Sequence, residues 1–351
     1  IDTAGNISSA STVALTVENT APTITGTTVA ADNTTIAVTF SEAVFDTTGG
    51  SGALEVGDFS LTISGGTATI NAAPSSISIS DNVYTLGLNL SGTPDGSEIV
   101  TVVPSSATAI YDAVANAAST SQSNNTVSLN DEAVPTNQNT VFANAISKKG
   151  GATVTIVSSA TASNDVWFAP ASTTSFSAGA TMTKAASGTA TSIAAPANAG
   201  TYYLYVIDTA GNISSASTVA LTVDSTAPTA TLAYTKDGTT ATSVKEGDVV
   251  LVTATFNEAI AVSPVMQISA SGVTTIAATD MTQTDATHYY YNWTVGTGDG
   301  TQTFALATGT DAAANVVTAT PTSGATIAVD NTAPTNQNTV FANAISKKGG
   351  A

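Results

Sequence analysis

Two stretches of this chain each occur twice without a substitution. Residues 1–17 read IDTAGNISSASTVALTV, and residues 207–223 read the same. Residues 135–152 read PTNQNTVFANAISKKGGA, and this run returns at 334–351. Such identity marks an array of modules. The first stretch is the end of one module and the second is its beginning. Its full copy, module A, spans 135–223. Two unlike inserts separate the A copies: module B at 18–134 and module C at 224–333. The order is therefore 1–17 (the C-terminal end of an A), 18–134, 135–223, 224–333 and 334–351 (the start of another A). Neither end piece is long enough to bury a core alone. The natural polypeptide is therefore expected to continue on both sides.

Local patterning says what the modules are made of. Ile36, Val38 and Phe40 alternate with Thr35, Ala37 and Thr39, and Val250, Val252, Ala254 and Phe256 alternate in the same way. Period two is the mark of a half-buried strand. Tyr203, Tyr205 and Ile207 form one face of another strand, with Leu204 and Val206 on the other. Turn signals fall between such runs, at Pro94-Asp95-Gly96, Lys236-Asp237-Gly238, Gly49-Gly50 and Gly65-Gly66. The Ala-rich stretch 105–118 is the one candidate for a helix. Charged residues make up only 9% of the chain, against roughly 25% in an average globular protein. The hydrophobic share is 42%, enough for cores, and no apolar run is long enough for a membrane helix. Modules of this size, all strand with frequent turns, predict an all-β chain of Greek-key β-sandwiches. Chain ends at opposite poles would align the sandwiches end to end as a rod.

VTFSEAV (38–44), TATFNEAI (253–260), IDTAGNIS (1–8 and 207–214) and VDNTAPT (329–335) carry a family resemblance. They resemble the tandem bacterial immunoglobulin-like (Ig-like) domains of giant repetitive cell-surface adhesins, of the biofilm-associated and repeats-in-toxin type. The resemblance covers essentially the whole chain. It implies display at the bacterial cell surface, a spacer or adhesive role and, in many members, calcium at domain junctions.

The acids have their own pattern. The chain holds 25 acidic and 7 basic residues, a net charge of -18. That excludes nucleic acid as a partner and opposes anionic membranes, since both require basic patches. It favours cations. Asp-x-x-x-Asn precedes the last strand of every module: Asp2/Asn6, Asp112/Asn116, Asp208/Asn212 and Asp311/Asn315. The linkers are acidic and end in proline, as Glu18 to Pro22, Asp224 to Pro228 and Asp330 to Pro334, with Asp131-Glu132 to Pro135 as a variant. Glu42 and Glu258 end the second strand of B and of C. Sandwich topology would bring Glu18, Glu42, Asp112 and Asn116 to one junction, and Asp224, Glu258, Asp311 and Asn315 to another. Asp131, Glu132, Asp208 and Asn212 would meet at a third, with Asp165 close by. Packed carboxylates repel unless a cation neutralises them, and hard oxygen donors suit Ca2+ better than Mg2+. The competing reading is that Asp and Asn only shape turns.

Other candidates are weaker. There is no cysteine, so disulfides and thiolate metal sites are excluded. The single histidine, His288, lies in a strand-like run, His288 to Trp293, with no nucleophile-elbow motif in the chain. Catalysis is not expected. Tyr289 to Trp293 reads as core on one face, with a sugar-stacking platform as the alternative. Trp167 and Phe168 read as core. Lys148-Lys149-Gly150-Gly151 reads as a hairpin tip, or as a contact with an acidic neighbour.

The expected function is a structural stalk of a secreted bacterial adhesin, stiffened by Ca2+ at its junctions and serving adhesion or biofilm attachment. The alternatives are a self-assembling component of an extracellular filament or sheath, and a module that itself binds a glycan or protein. Expected partners are the neighbouring Ig-like domains, with surface glycans or proteins, or lateral self-association, beside them. No membrane insertion is expected in this segment.

Overall fold

The computed structural model describes residues 1–13 and 15–334. Apart from Pro334, the second A start at 334–351 lies outside the described residues. Two compact units are present. One comprises Ile1–Pro135 with Asp208–Asn212, and the other Thr136–Ile207 with the residues from Ile213 on.

In the first unit, module B forms, beside a short pair of Thr69–Ile70 with Leu90–Ser91, two main antiparallel sheets. One runs Ile24–Val29, Thr35–Phe40, Val83–Gly87, Ile77–Ser80 in spatial order, and the other Phe59–Ser64, Ile99–Pro104, Thr126–Ser128. With the short pair set aside and the seven strands of the main sheets lettered along the chain, this is A-B-E-D against C-F-G, the immunoglobulin order. The alternation read from sequence sets the faces. Ile36, Val38 and Phe40 are buried, while the residues between them are half-exposed. Phe40 meets Tyr84 edge-on at 5.5 Å between ring centroids, and Phe59 packs beside both. Burying one such side chain contributes about 1.5–3 kcal/mol. With no disulfide available, this packing is what holds the sandwich.

The Ala-rich stretch 105–118 is not a helix. Tyr111 exchanges backbone hydrogen bonds with Phe45, and Ala118 N donates to Ile110 O. Ile110 and Ala118 are drawn into the core. Tertiary pairing therefore overrides alanine's helix propensity.

Modules A and C lie in the second unit. In A, a five-stranded sheet runs Ile146–Lys148, Ala220–Val223, Gly200–Ile207, Asp165–Ala169, Thr183–Lys184, and Thr153–Thr155 pairs with Ser192–Ala194 opposite it. In C, one sheet runs Thr239–Thr240, Ala230–Lys236, Val249–Phe256, His288–Thr294, Thr282–Gln283. The other runs Ser243–Val244, Thr326–Val329, Gly300–Ala307, Gln267–Ser271, Ile276–Asp280. In both modules a short early strand runs parallel to the last one, Ile146 opposite Leu221 and Ser243 opposite Ala328. The chain thus crosses from one sheet to the other before its second long strand. Tyr289 and Trp293 enter the core of C, where Trp293 meets Phe304 edge-on at 5.3 Å. The core reading of the Tyr289 to Trp293 run describes that face.

Trp167 departs from expectation. Phe168 is core, but Trp167 and Tyr205 point from the opposite face of the same sheet and are covered there by Phe176. Neighbouring strand residues face opposite ways, so Trp167 and Phe168 could not both join one core.

Candidate metal centre

Each Asp-x-x-x-Asn folds the same way. The Oδ1 of Asp112 accepts the backbone N–H of Val114 and Asn116, at 2.9 and 2.8 Å, and its Oδ2 accepts Asn116 Nδ2 at 2.8 Å. Asp208 repeats these bonds with Ala210 and Asn212, and Asp311 with Ala313 and Asn315. A backbone bond from the Asp N–H to the Asn carbonyl closes each loop. The residue before each Asn has positive φ: Gly211 at 95° in A, but Ala115 at 75° in B and Ala314 at 71° in C.

The second N–H of each asparagine amide holds the incoming linker. Asn212 Nδ2 donates to Asp131 O at 3.1 Å and Asn315 Nδ2 to Asp224 O at 3.0 Å. Asn116 Nδ2 lies 3.4 Å from Glu18 O and donates to Glu18 Oε2 at 2.6 Å. A second grip comes from the residue before the strand-ending glutamate. Asn257 Oδ1 accepts Thr229 N at 2.7 Å, and Ser41 Oγ accepts Thr23 N at 3.1 Å. Sequence reading missed Ser41 and Asn257. Their place before Glu42 and Glu258 was the available signal.

The linker acids also make turns of their own. Glu18 Oε1 accepts Thr20 N, Asp131 Oδ1 accepts Ala133 N, Asp224 Oδ1 accepts Thr226 N and Asp330 Oδ1 accepts Thr332 N. Turn chemistry is therefore present at every linker.

Three carboxylates converge ahead of module C. Asp224, Glu258 and Asp311 each offer an oxygen, and these lie within 4.8 Å of one another. Burial pushes the Glu258 carboxyl above its usual range, and the charges of Asp311 and Asp224 add to the rise. Glu42 in B behaves alike, raised by burial and by Asp112 and Glu18. Burial also pushes Asp112 up, but hydrogen bonds from the Asn116 side chain and from the Asn116 and Val114 backbone outweigh it and hold its carboxyl low. Among the described residues only the module C group places three carboxylate oxygens this close.

One atom there lacks a partner. Asn315 is 2% exposed, and its Oδ1 accepts no hydrogen bond among the described residues. An unsatisfied buried oxygen costs about 1–3 kcal/mol. Here it sits on the amide whose nitrogen already bonds Asp224 O and Asp311 Oδ2. Carboxylates with a spare amide oxygen form a hard donor set that fits Ca2+.

The remaining predicted residues lie elsewhere. Glu132 is held by Asn33 Nδ2 at 3.1 Å, in module B's own loop, rather than beside Asp208. Asp165 pairs with Lys184 at 2.7 Å. Asp330 N donates to Val244 O, and the neighbouring Asn331 bonds Glu246 N and Asp299; the module that this linker would enter lies outside the described residues. The Lys149 tip touches module C through its backbone, Lys149 N donating to Ala313 O at 3.0 Å. Gly150 in that turn admits no side chain, since a Cβ would lie 2.3 Å from Ala197 O. His288 Nδ1 contacts Asp285 at 2.9 Å and Thr287 Oγ1 at 3.2 Å. Both partners use the same ring nitrogen, so this trio does not form a relay through the ring.

No helix among the described residues is long and apolar enough to cross a membrane. No protein-family model matches the chain, and no curated protein matches it. Solved structures give distant likenesses. FdeC, an Escherichia coli adhesin, is 15% identical, covers 91% of this chain and 100% of its own, and has a TM-score of 0.33. A domain tandem from titin is 13% identical over 88% of this chain and 99% of its own, at a TM-score of 0.32. The BSP domain of a biofilm associated protein is 10% identical over 91% and 69%, at 0.20. Scores this low add nothing to what the strand pairing gives: the chain is all-β, a tandem of β-sandwich modules with immunoglobulin-like strand order.

Proposed function

We propose that this chain is part of the stalk of a bacterial surface adhesin, outside the cell, in which Ca2+ bound ahead of a module fixes it to its predecessor. The supporting observation is the convergence of Asp224, Glu258 and Asp311 beside the unpartnered, buried Oδ1 of Asn315. Asp224 belongs to the linker, Glu258 follows the long strand Val249–Phe256, and Asp311 and Asn315 belong to the last loop. An ion held by all four would lock linker to module. It would neutralise the repulsion that raises Glu258 and give Asn315 Oδ1 a partner. Repetition suits a spacer, since a stalk gains reach from every copy while a binding tip is needed once.

Calorimetric titration of the ion-free protein with Ca2+ tests this. The expected result is saturable binding that Glu258→Gln weakens by an order of magnitude or more, as removal of a charged ligand does. Absence of saturable heat, or equal binding by the variant, leaves these acids as turn residues only.

A further inference from the structure

The outer face of the large sheet of module A carries a second aromatic layer, separate from the core. Trp167, 7% exposed, packs against Phe176 at 5.7 Å between centroids, and Phe176 meets Tyr205 edge-on at 5.2 Å. Lys184 lies over the indole at 5.7 Å and pairs with Asp165 at 2.7 Å, so a donor and an acceptor flank the ring. The indole Nε1 of Trp167 is buried and has no acceptor among the described residues.

What covers this layer is loosely attached. Beyond a local turn at 171–172, residues 171–178 make no backbone–backbone hydrogen bond to the rest of the module among the described residues. The segment is tied at its ends, where Tyr205 Oη and Thr173 Oγ1 both donate to Pro170 O and Asn198 N donates to Ala180 O. Between those ties, Phe176 is the contact with the aromatic rings beneath. Trp293 Nε1 in module C also lacks a partner among the described residues, but it lies inside the main core between two sheets. Trp167 differs in being one movable side chain from solvent.

We propose that this face is a saccharide-binding platform, held closed by residues 170–182, with Phe176 in the place a sugar ring would take. A pyranose has an apolar C–H face to stack on the indole and hydroxyl oxygens to accept from Nε1. Its other hydroxyls would meet Lys184 and Asp165 at the rim. Opening the segment exposes the platform, and a sugar supplies the missing acceptor.

The chain has two tryptophans, so its 15N–1H spectrum holds two indole signals. The intact protein, Phe176→Ala and Lys184→Ala would each be titrated with the methyl glycosides of glucose, galactose, mannose and N-acetylglucosamine. The expected result is a saturable shift of the Trp167 signal with at least one glycoside while Trp293 stays fixed. Phe176→Ala should bind about tenfold more tightly, because the competing closed state is removed. Lys184→Ala, which removes the ammonium over the indole and the pair with Asp165, should bind more weakly. Should Phe176→Ala fail to fold, the intact protein and Lys184→Ala still decide the matter. A Trp167 signal that moves with none of the four, or that moves only together with Trp293, overturns the proposal and makes the layer a second core.

Discussion

Residues 1–17 repeat residues 207–223, but only the second copy has the rest of a module A around it in this sequence. Leu221 is fully buried and Val223 is 2% exposed, while the matching Leu15 and Val17 are 89% and 70% exposed. Ala220–Val223 is a strand between two others, and residues 15–17 belong to none. Yet the turn is the same in both. Asp2 Oδ1 accepts Ala4 N at 3.0 Å and Asn6 N at 2.8 Å, and Asp2 Oδ2 accepts Asn6 Nδ2 at 2.8 Å, matching Asp208. Asp-x-x-x-Asn is thus a local device that forms without a sandwich around it. The strand is not local, because its stability comes from neighbours that bury it. Repetition of Asp-x-x-x-Asn is therefore explained by turn chemistry. The case for an ion rests on what Asp311 has and Asp2 lacks: two further carboxylates and a buried, unpartnered amide oxygen.

The largest expected effect separates the two strand copies. Leu221→Ala should destabilise module A by about 2–5 kcal/mol, the usual result of emptying a packed site. Leu15→Ala should leave a denaturant melt of the described modules unchanged. Equal effects would mean that residues 1–17 are packed in solution.

Next come the asparagines. Asn315→Ala removes the grip on Asp224 O and should cost about 1–3 kcal/mol in a thermal melt of module C. It should also weaken Ca2+ binding. Asn6→Ala, at an exposed site, should change neither.

pH sharpens the same contrast. Glu258 and Glu42 have folded pKa values raised above the usual 4.5. In the window from 4.5 upward to those raised values, the native state holds more protons than the unfolded one. Stability should then fall as pH rises through the window and recover on acidification. Asp248, held low first by Lys236, and Asp285, held at about 2, act in the opposite direction, but only below 3.8. Ion-free melts between neutral pH and 4.5 should therefore show Tm rising as pH falls, and Glu258→Gln together with Glu42→Gln should flatten the slope. A slope unchanged in the double variant would contradict the assignment.

The smallest effect concerns the left-handed residue of each loop. Ala314→Gly should stabilise by up to about 1 kcal/mol, and Gly211→Ala should destabilise by a similar amount. Opposite-sign shifts in Tm would show that the loops of A and C share one geometry.

Much of this was legible in sequence because it is local. Period-two runs such as Ile36-Val38-Phe40 told which faces are buried. Asp224, Glu258, Asp311 and Asn315 were brought together by topology alone, since each sits at a recognisable strand end or linker. What escaped depends on tertiary context. Stretch 105–118 has helical composition but is claimed by pairing with Phe45. Glu132 has the chemistry of a ligand, but its neighbour Asn33 holds it. Trp167 adjoins a core residue yet faces the other way, and nothing in its local pattern announces the segment that covers it.

An ion, and not the turn alone, is proposed to join linker to module. Small-angle X-ray scattering of the protein in excess Ca2+ and in EDTA, with a thermal melt of each sample, tests it most directly. A junction ion gives a longer particle and a higher Tm with Ca2+, both lost in Glu258→Gln. Identical scattering and identical melts in Ca2+ and EDTA would contradict it, leaving the junction acids as turn formers of an ion-independent array.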